Sequence, residues 1–151
     1  MTKVGIYKLG FVPIGESDNT DVWTEVVGEE VEERATPYTP EDYSTFIGKM
    51  FNSIDQKASE LTEEYIDDEN GPYYRIDLSS VVRKEEDIEL AEKYSGQQLA
   101  IHVWTVDGRH VIIGTETDPA RLATSDRYAS MNTREVALTS QYATLNGLLR
   151  S

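Results

Sequence analysis

The chain has 151 residues, with 14 Lys and Arg against 28 Asp and Glu, so its formal net charge is −14. Proteins that bind nucleic acid generally use a net basic surface to neutralise phosphates, so this balance excludes that class. The chain has no cysteine, which excludes disulfides, thiolate metal sites and a cysteine nucleophile and favours an intracellular origin. The length predicts one domain, and no apolar run is long enough for a signal peptide or a membrane span.

The charge is unevenly distributed along the chain. Residues 1–96 hold nine basic and twenty-three acidic side chains, whereas residues 97–151 hold five of each. All five basic residues of the second part are arginines, whose planar guanidinium suits ordered contacts with carboxylates. An acidic part and an arginine-bearing part in one chain are expected if copies pair head to tail. Pairing within a single copy would explain the same pattern.

Residues 1–38 are expected to form an extended acidic arm ahead of a single α+β domain over residues 39–151. Two short β-type runs, Val4–Leu9 and Val22–Val27, flank a segment rich in turn residues. A run of glutamates follows, which is typical of a solvated segment.

Residues 39–68 carry the pattern of a long amphipathic helix. Thr39 can cap its start, Pro40 suits the first helical position, and apolar residues recur at three-to-four spacing from Tyr43 to Tyr65. A second, short helix is predicted over about residues 83–95.

The clearest β pattern is a central hairpin over residues 98–115, where two apolar runs flank Asp107-Gly108. A two-residue type I′ turn there would place Trp104 opposite Val111 and His102 opposite Ile113.

Further strands are predicted over Tyr73–Val82 and Arg134–Thr139. The predicted fold class is therefore α+β, an antiparallel sheet or sandwich with one long and one short helix.

No residue pattern predicts a catalytic, cofactor-binding or metal site. In the predicted register His102 and His110 lie on opposite faces of the hairpin, so they cannot share an ion or relay a proton. Neither a nucleophile elbow nor a phosphate-binding glycine loop occurs. The segment Asp67–Gly71 resembles part of a calcium loop, but Ile66 occupies the position of its first carboxylate ligand. A small enzyme or ligand-binding domain that uses carboxylates remains an open alternative.

A row of acids offers another alternative. On a helix, Glu60, Glu63, Glu64, Asp67 and Asp68 would share one face. Such a row could mimic the phosphates of DNA and inhibit a nucleic-acid enzyme, although it would also be the ordinary wet side of an amphipathic helix.

The chain resembles the small structural proteins of tailed-phage virions, namely tail-tube and head-to-tail connector subunits. The resemblance is centred on the hairpin Leu99–Thr115, the Asp118–Leu122 turn, the strand Arg134–Thr139 and the Asn146–Leu149 segment that follows it. It implies a non-enzymatic subunit that forms a ring of β-sheets with copies of itself, contacts neighbouring virion proteins and binds no membrane. An acidic wall fits this role, because a conduit for DNA should repel phosphates.

The expected contact between subunits joins arginines to acids. A ring needs a surface that meets a different surface on the next copy. The candidate interface residues are Arg109, Arg121, Arg127, Arg134 and Trp104, with Glu29, Glu30, Glu32 and Glu33 as the acidic counterpart.

Overall fold

The computed structural model describes residues 2–14, 36–115, 117–130, 133–144 and 149, with the backbone alone at residues 36, 127–130 and 133. These residues form nine strands, two α-helices and one 3₁₀ turn at Gln56–Ala58. The strands are β1 (Thr2–Pro13), β2 (Thr36–Pro37), β3 (Lys49–Met50), β4 (Glu60–Asp68), β5 (Gly71–Val82), β6 (Leu99–Thr105), β7 (Arg109–Ile113), β8 (Ala123–Ser130) and β9 (Thr133–Thr144). The helices are α1 (Pro40–Ser44) and α2 (Glu85–Tyr94).

Strand β1 joins the two halves of one curled antiparallel sheet. The strand order is β2-β7-β6-β1-β4-β5-β9-β8, and β3 pairs with β1 as well. Ile6–Pro13 of β1 pairs with β6, whereas Thr2–Gly5 pairs with β4. Residues 2–13 of the expected arm therefore form the central strand, and Thr36–Pro37 form β2. Residues 15–35 of that arm lie outside the described residues.

The sheet around β1, β6 and β7 is apolar on both faces, as the hairpin sequence predicts. On one face, Leu9, Phe11, Ile101 and Val103 join the main core, which also includes the inward side of α2. On the other face, a smaller cluster around Val12 and Ala100 packs against Phe46 and other residues.

The prediction of a long helix over residues 39–68 is wrong. The helix that begins at Pro40 ends at Ser44, and residues 60–68 form β4 between β1 and β5. In β4 the side chains of Leu61 and Glu63 are buried while their neighbours are more exposed, which is the period-two pattern of a strand. Two strands offer backbone partners along this segment, and such pairing overrides a helix propensity of a fraction of a kcal/mol per residue.

Asn70-Gly71, directly after the predicted helix, forms a turn that connects two strands. Gly71 has a φ of +104°, which glycine adopts without strain. The Asn70 amide donates a hydrogen bond of 2.8 Å to Asp68 Oδ1, which closes the turn. Asn70-Gly71 therefore joins β4 to β5 rather than ending a helix.

The antiparallel sheet and the short helix are confirmed. Strand β5 covers the predicted strand Tyr73–Val82, and α2 lies within the predicted residues 83–95. The predicted strand Arg134–Thr139 lies in the first half of β9. The predicted run Val22–Val27 lies outside the described residues.

The hairpin at residues 98–115 is confirmed, but its predicted register is wrong by one residue. Trp104 pairs with His110, and His102 pairs with Ile112. The loop therefore contains three residues, Val106–Gly108, and the Gly108 amide donates to the Thr105 carbonyl at 3.2 Å. Asp-Gly suits this loop as well as the two-residue turn, because both accept glycine at a positive φ, here +87° at Gly108. A shift of one residue on one strand moves its side chains to the other face.

Candidate functional site

The corrected register brings the two histidines together on one face of the hairpin. Nδ1 of His102 and Nε2 of His110 are 3.0 Å apart, so one nitrogen can donate a hydrogen bond to the other. The ring of Trp104 lies parallel to that of His110, with centroids 4.8 Å apart and planes within 1°. The prediction that the histidines lie on opposite faces is therefore wrong.

Phe46, in the segment after α1, covers His102 and Trp104 on this face. The Phe46 ring lies 4.8 Å from His102 and 5.1 Å from Trp104, measured between centroids. Gly10 permits this contact, because a Cβ atom there would meet Phe46 Cε2 at 2.9 Å and the Lys49 carbonyl at 2.8 Å. Sequence analysis missed the cover because it placed Phe46 on a long helix.

Burial sets the protonation of the pair. Loss of solvent, reinforced by the neighbouring His110, holds the pKa of His102 well below its ordinary value. Burial also lowers the pKa of His110 to about 4, although the carboxylate of Asp42 raises it in part. Both imidazoles are therefore neutral near pH 7.

The geometry gives the imidazole pair a packing and hydrogen-bonding role. His102 is fully buried, so it cannot contact a substrate unless Phe46 moves. Neither His102 Nε2 nor Trp104 Nε1 has a hydrogen-bond partner among the described residues. Within the same part of the chain, no group of three or more His, Asp or Glu side chains could hold a metal ion.

Two of the predicted interface arginines form ion pairs within the chain. Arg109 pairs with Asp107 at 2.8 Å and donates to the Leu149 carbonyl. Arg134 pairs with both Glu92 and Asp126, at 2.6 and 2.8 Å.

The remaining interface candidates are placed as follows. Arg121 is exposed and donates to the Gly96 carbonyl. Arg127 lies on β8, where only its backbone is described. Trp104 has 1% of its surface exposed, so it belongs to the interior of this fold. Glu29, Glu30, Glu32 and Glu33 lie outside the described residues.

The acidic row expected on a helix is divided between the two faces of β4. Glu60 pairs with Lys3 at 3.0 Å, and Glu64 pairs with Arg75 at 2.8 Å. Glu63 points inward and is 3% exposed. The single-faced acidic row that suggested DNA mimicry is therefore not formed.

The sheet has an edge at each end without a strand partner among the described residues. At one end, β8 pairs only with β9. At the other end, β7 pairs with β6, and β2 covers only Arg109 and His110 of its outer edge. Such edges present rows of backbone donors and acceptors that can pair with another chain. Sequence analysis missed β8, because Ala123–Ser130 is polar and lacks a clear apolar alternation.

Half of the net charge lies in one connection. Residues 15–35, which link β1 to β2, contain eight acidic and one basic side chain. The β-rich remainder is therefore less acidic than the composition of the whole chain suggests.

In the part of the chain that the structure describes, no helix is long and apolar enough to cross a membrane. In comparisons with known proteins, no family model, no curated protein and no solved structure matches this chain.

Proposed function

We propose that this chain is a non-enzymatic structural subunit that forms a ring with copies of itself, in the tail tube or head-to-tail connector of a phage virion. The observation that carries the assembly is that, among the described residues, β8 has no outer strand partner and β2 leaves Val111–Ile113 of β7 without one. These two edges are different surfaces, so joining β8 of one copy to Val111–Ile113 of the next is a head-to-tail contact, which closes into a ring if the rotation permits.

The charge supports passage of DNA through such a ring. A net charge of −14 repels phosphates, and eight of the acids lie in the single connection 15–35. The virion setting rests on the resemblance of residues 99–149 to phage structural subunits.

Assembly is tested with the purified chain by light scattering and negative-stain electron microscopy. The proposal predicts closed rings or short tubes, and no retention of duplex DNA at low salt. A chain that stays monomeric at millimolar concentration would contradict it.

Two proline variants on β8 test the edge itself. In an antiparallel strand, neighbouring backbone amides point in opposite directions, so one of Thr124 and Ser125 faces β9 and the other faces outward. Thr124→Pro and Ser125→Pro are therefore matched variants. One should destabilise the folded chain, and the other should leave it folded but prevent assembly. Rings that form with the folded variant would exclude β8 as the contact.

A further inference from the structure

Leu149 is held in the core by side chains from both halves of the sheet. Its amide donates a hydrogen bond of 2.8 Å to Glu63 Oε2, and its carbonyl accepts one from Arg109 Nη1. The leucine is 1% exposed and belongs to the main core. We call Glu63 and Arg109 the clamp.

The clamp is built to hold a segment of backbone. Glu63 lies on β4, is 3% exposed and points inward. Arg109 begins β7, and two bonds to Asp107, at 2.8 and 2.9 Å, fix its guanidinium. Two charged groups thus bind the amide and the carbonyl of one residue, and the core accepts its apolar side chain. None of these contacts depends on which copy of the chain supplies the residue.

We propose that the clamp is a docking site for Leu149 and that in the assembled ring this residue comes from the neighbouring copy. The second part rests on the proposed ring. Exchange of an identical element keeps the same contacts and is a low-cost route to assembly.

The proposed ring contact brings the end of the neighbour's β9 close to the clamp in the direction across the strands. Arg109 lies two residues before Val111–Ile113, the part of β7 that β2 leaves open to β8 of the next copy. In that copy β9 lies beside β8 and ends at Thr144, five residues before Leu149. Two strand spacings are about 10 Å, whereas five extended residues reach up to about 17 Å. The neighbour's Leu149 can therefore cover the lateral distance to the clamp.

Docking is tested with a chain that ends at Thr144 and a fluorescent peptide of residues 144–151. Anisotropy should show saturable binding with one peptide per chain. A peptide with Leu149→Asp, or a chain with Glu63→Gln, should weaken binding at least tenfold. If the shortened chain does not fold, the full-length chain with Leu149→Ala replaces it in the assay. Its own C-terminal segment then competes only weakly with the fluorescent peptide for the clamp. A folded chain that does not bind the peptide at millimolar concentration would overturn the docking site.

Exchange is tested by photo-crosslinking in the assembled protein. Benzoylphenylalanine replaces Leu149, and ¹⁵N-labelled and unlabelled chains are mixed as monomers before assembly. Exchange predicts that about half of the crosslinks between position 149 and the peptides of β4 or β7 join a labelled to an unlabelled chain. Crosslinks only within one isotope would overturn exchange but leave both docking and the ring intact. Failure to assemble would overturn the ring and exchange together, while the peptide assay still decides docking.

Discussion

Acidification should destabilise this fold through the imidazole pair. The pKa of His110 is about 4 in the folded chain, against an ordinary value of 6.5. Between these values the unfolded chain binds a proton that folded His110 does not. The contribution of neutral His110 to the free energy of unfolding is therefore fully present above pH 6.5. It falls as the pH drops towards 4 and changes no further below that pH.

The size of the effect follows from the two pKa values. At pH 5, a histidine with an ordinary pKa of 6.5 is almost fully protonated, whereas folded His110 is mostly neutral. Proton linkage then gives a loss of about 2 kcal/mol relative to pH 7.5. His102, whose pKa is lowered further by burial, adds to the loss in the same direction.

The variant His110→Gln isolates this contribution. Its side-chain amide can still donate to or accept from His102 Nδ1, but it does not titrate. Urea unfolding at pH 7.5 and pH 5, at a concentration that keeps the chain monomeric, should show a loss about 2 kcal/mol smaller in the variant than in the parent.

The chain has only two histidines, so their imidazole resonances give two direct titration curves. The resonance that disappears in His110→Gln should titrate near pH 4 in the parent. A midpoint near 6.5, or an equal loss of stability in both proteins, would refute the reasoning.

Two further predictions concern the packing of the sheet. Buried Asp87 accepts hydrogen bonds from the amides of Asn52 and Ser53 at 2.7 and 3.0 Å, so Asp87→Ala should cost about 3 kcal/mol in urea unfolding. The control is Glu86→Ala, at the exposed neighbouring residue, which should cost under about 0.5 kcal/mol. Similar losses in the two variants would show that the hydrogen bonds to Asp87 do not stabilise the fold. Gly10→Val should push Phe46 off His102, because even a Cβ atom comes within 2.9 Å of its ring. The lowered pKa of His102 should then rise towards its ordinary value in the NMR titration, and an unchanged pKa would contradict the role of Phe46 as the cover.

The sequence by itself determined the features that depend on residues close together in the chain. Asp107-Gly108 marked a chain reversal and Asn70-Gly71 marked the end of an element, because glycine at each place accepts a positive φ. Two continuous apolar runs along residues 99–113 predicted a hairpin buried on both faces, and the acids that begin residues 85–94 predicted a short helix. The charge of the connection 15–35 is likewise a property of composition alone.

Only the tertiary structure decided what depends on partners distant in sequence. Leu61 and Glu63 became strand residues because β1 and β5 pair with their backbone. On the predicted helix, Leu61 would have belonged to the apolar stripe and Glu63 to the acidic row. One additional loop residue in the hairpin placed His102 beside His110, since a shift of one residue changes the face of every side chain. The pairing of Arg109 and Glu63 with Leu149 joins residues 40 and 86 positions apart, which no local pattern encodes.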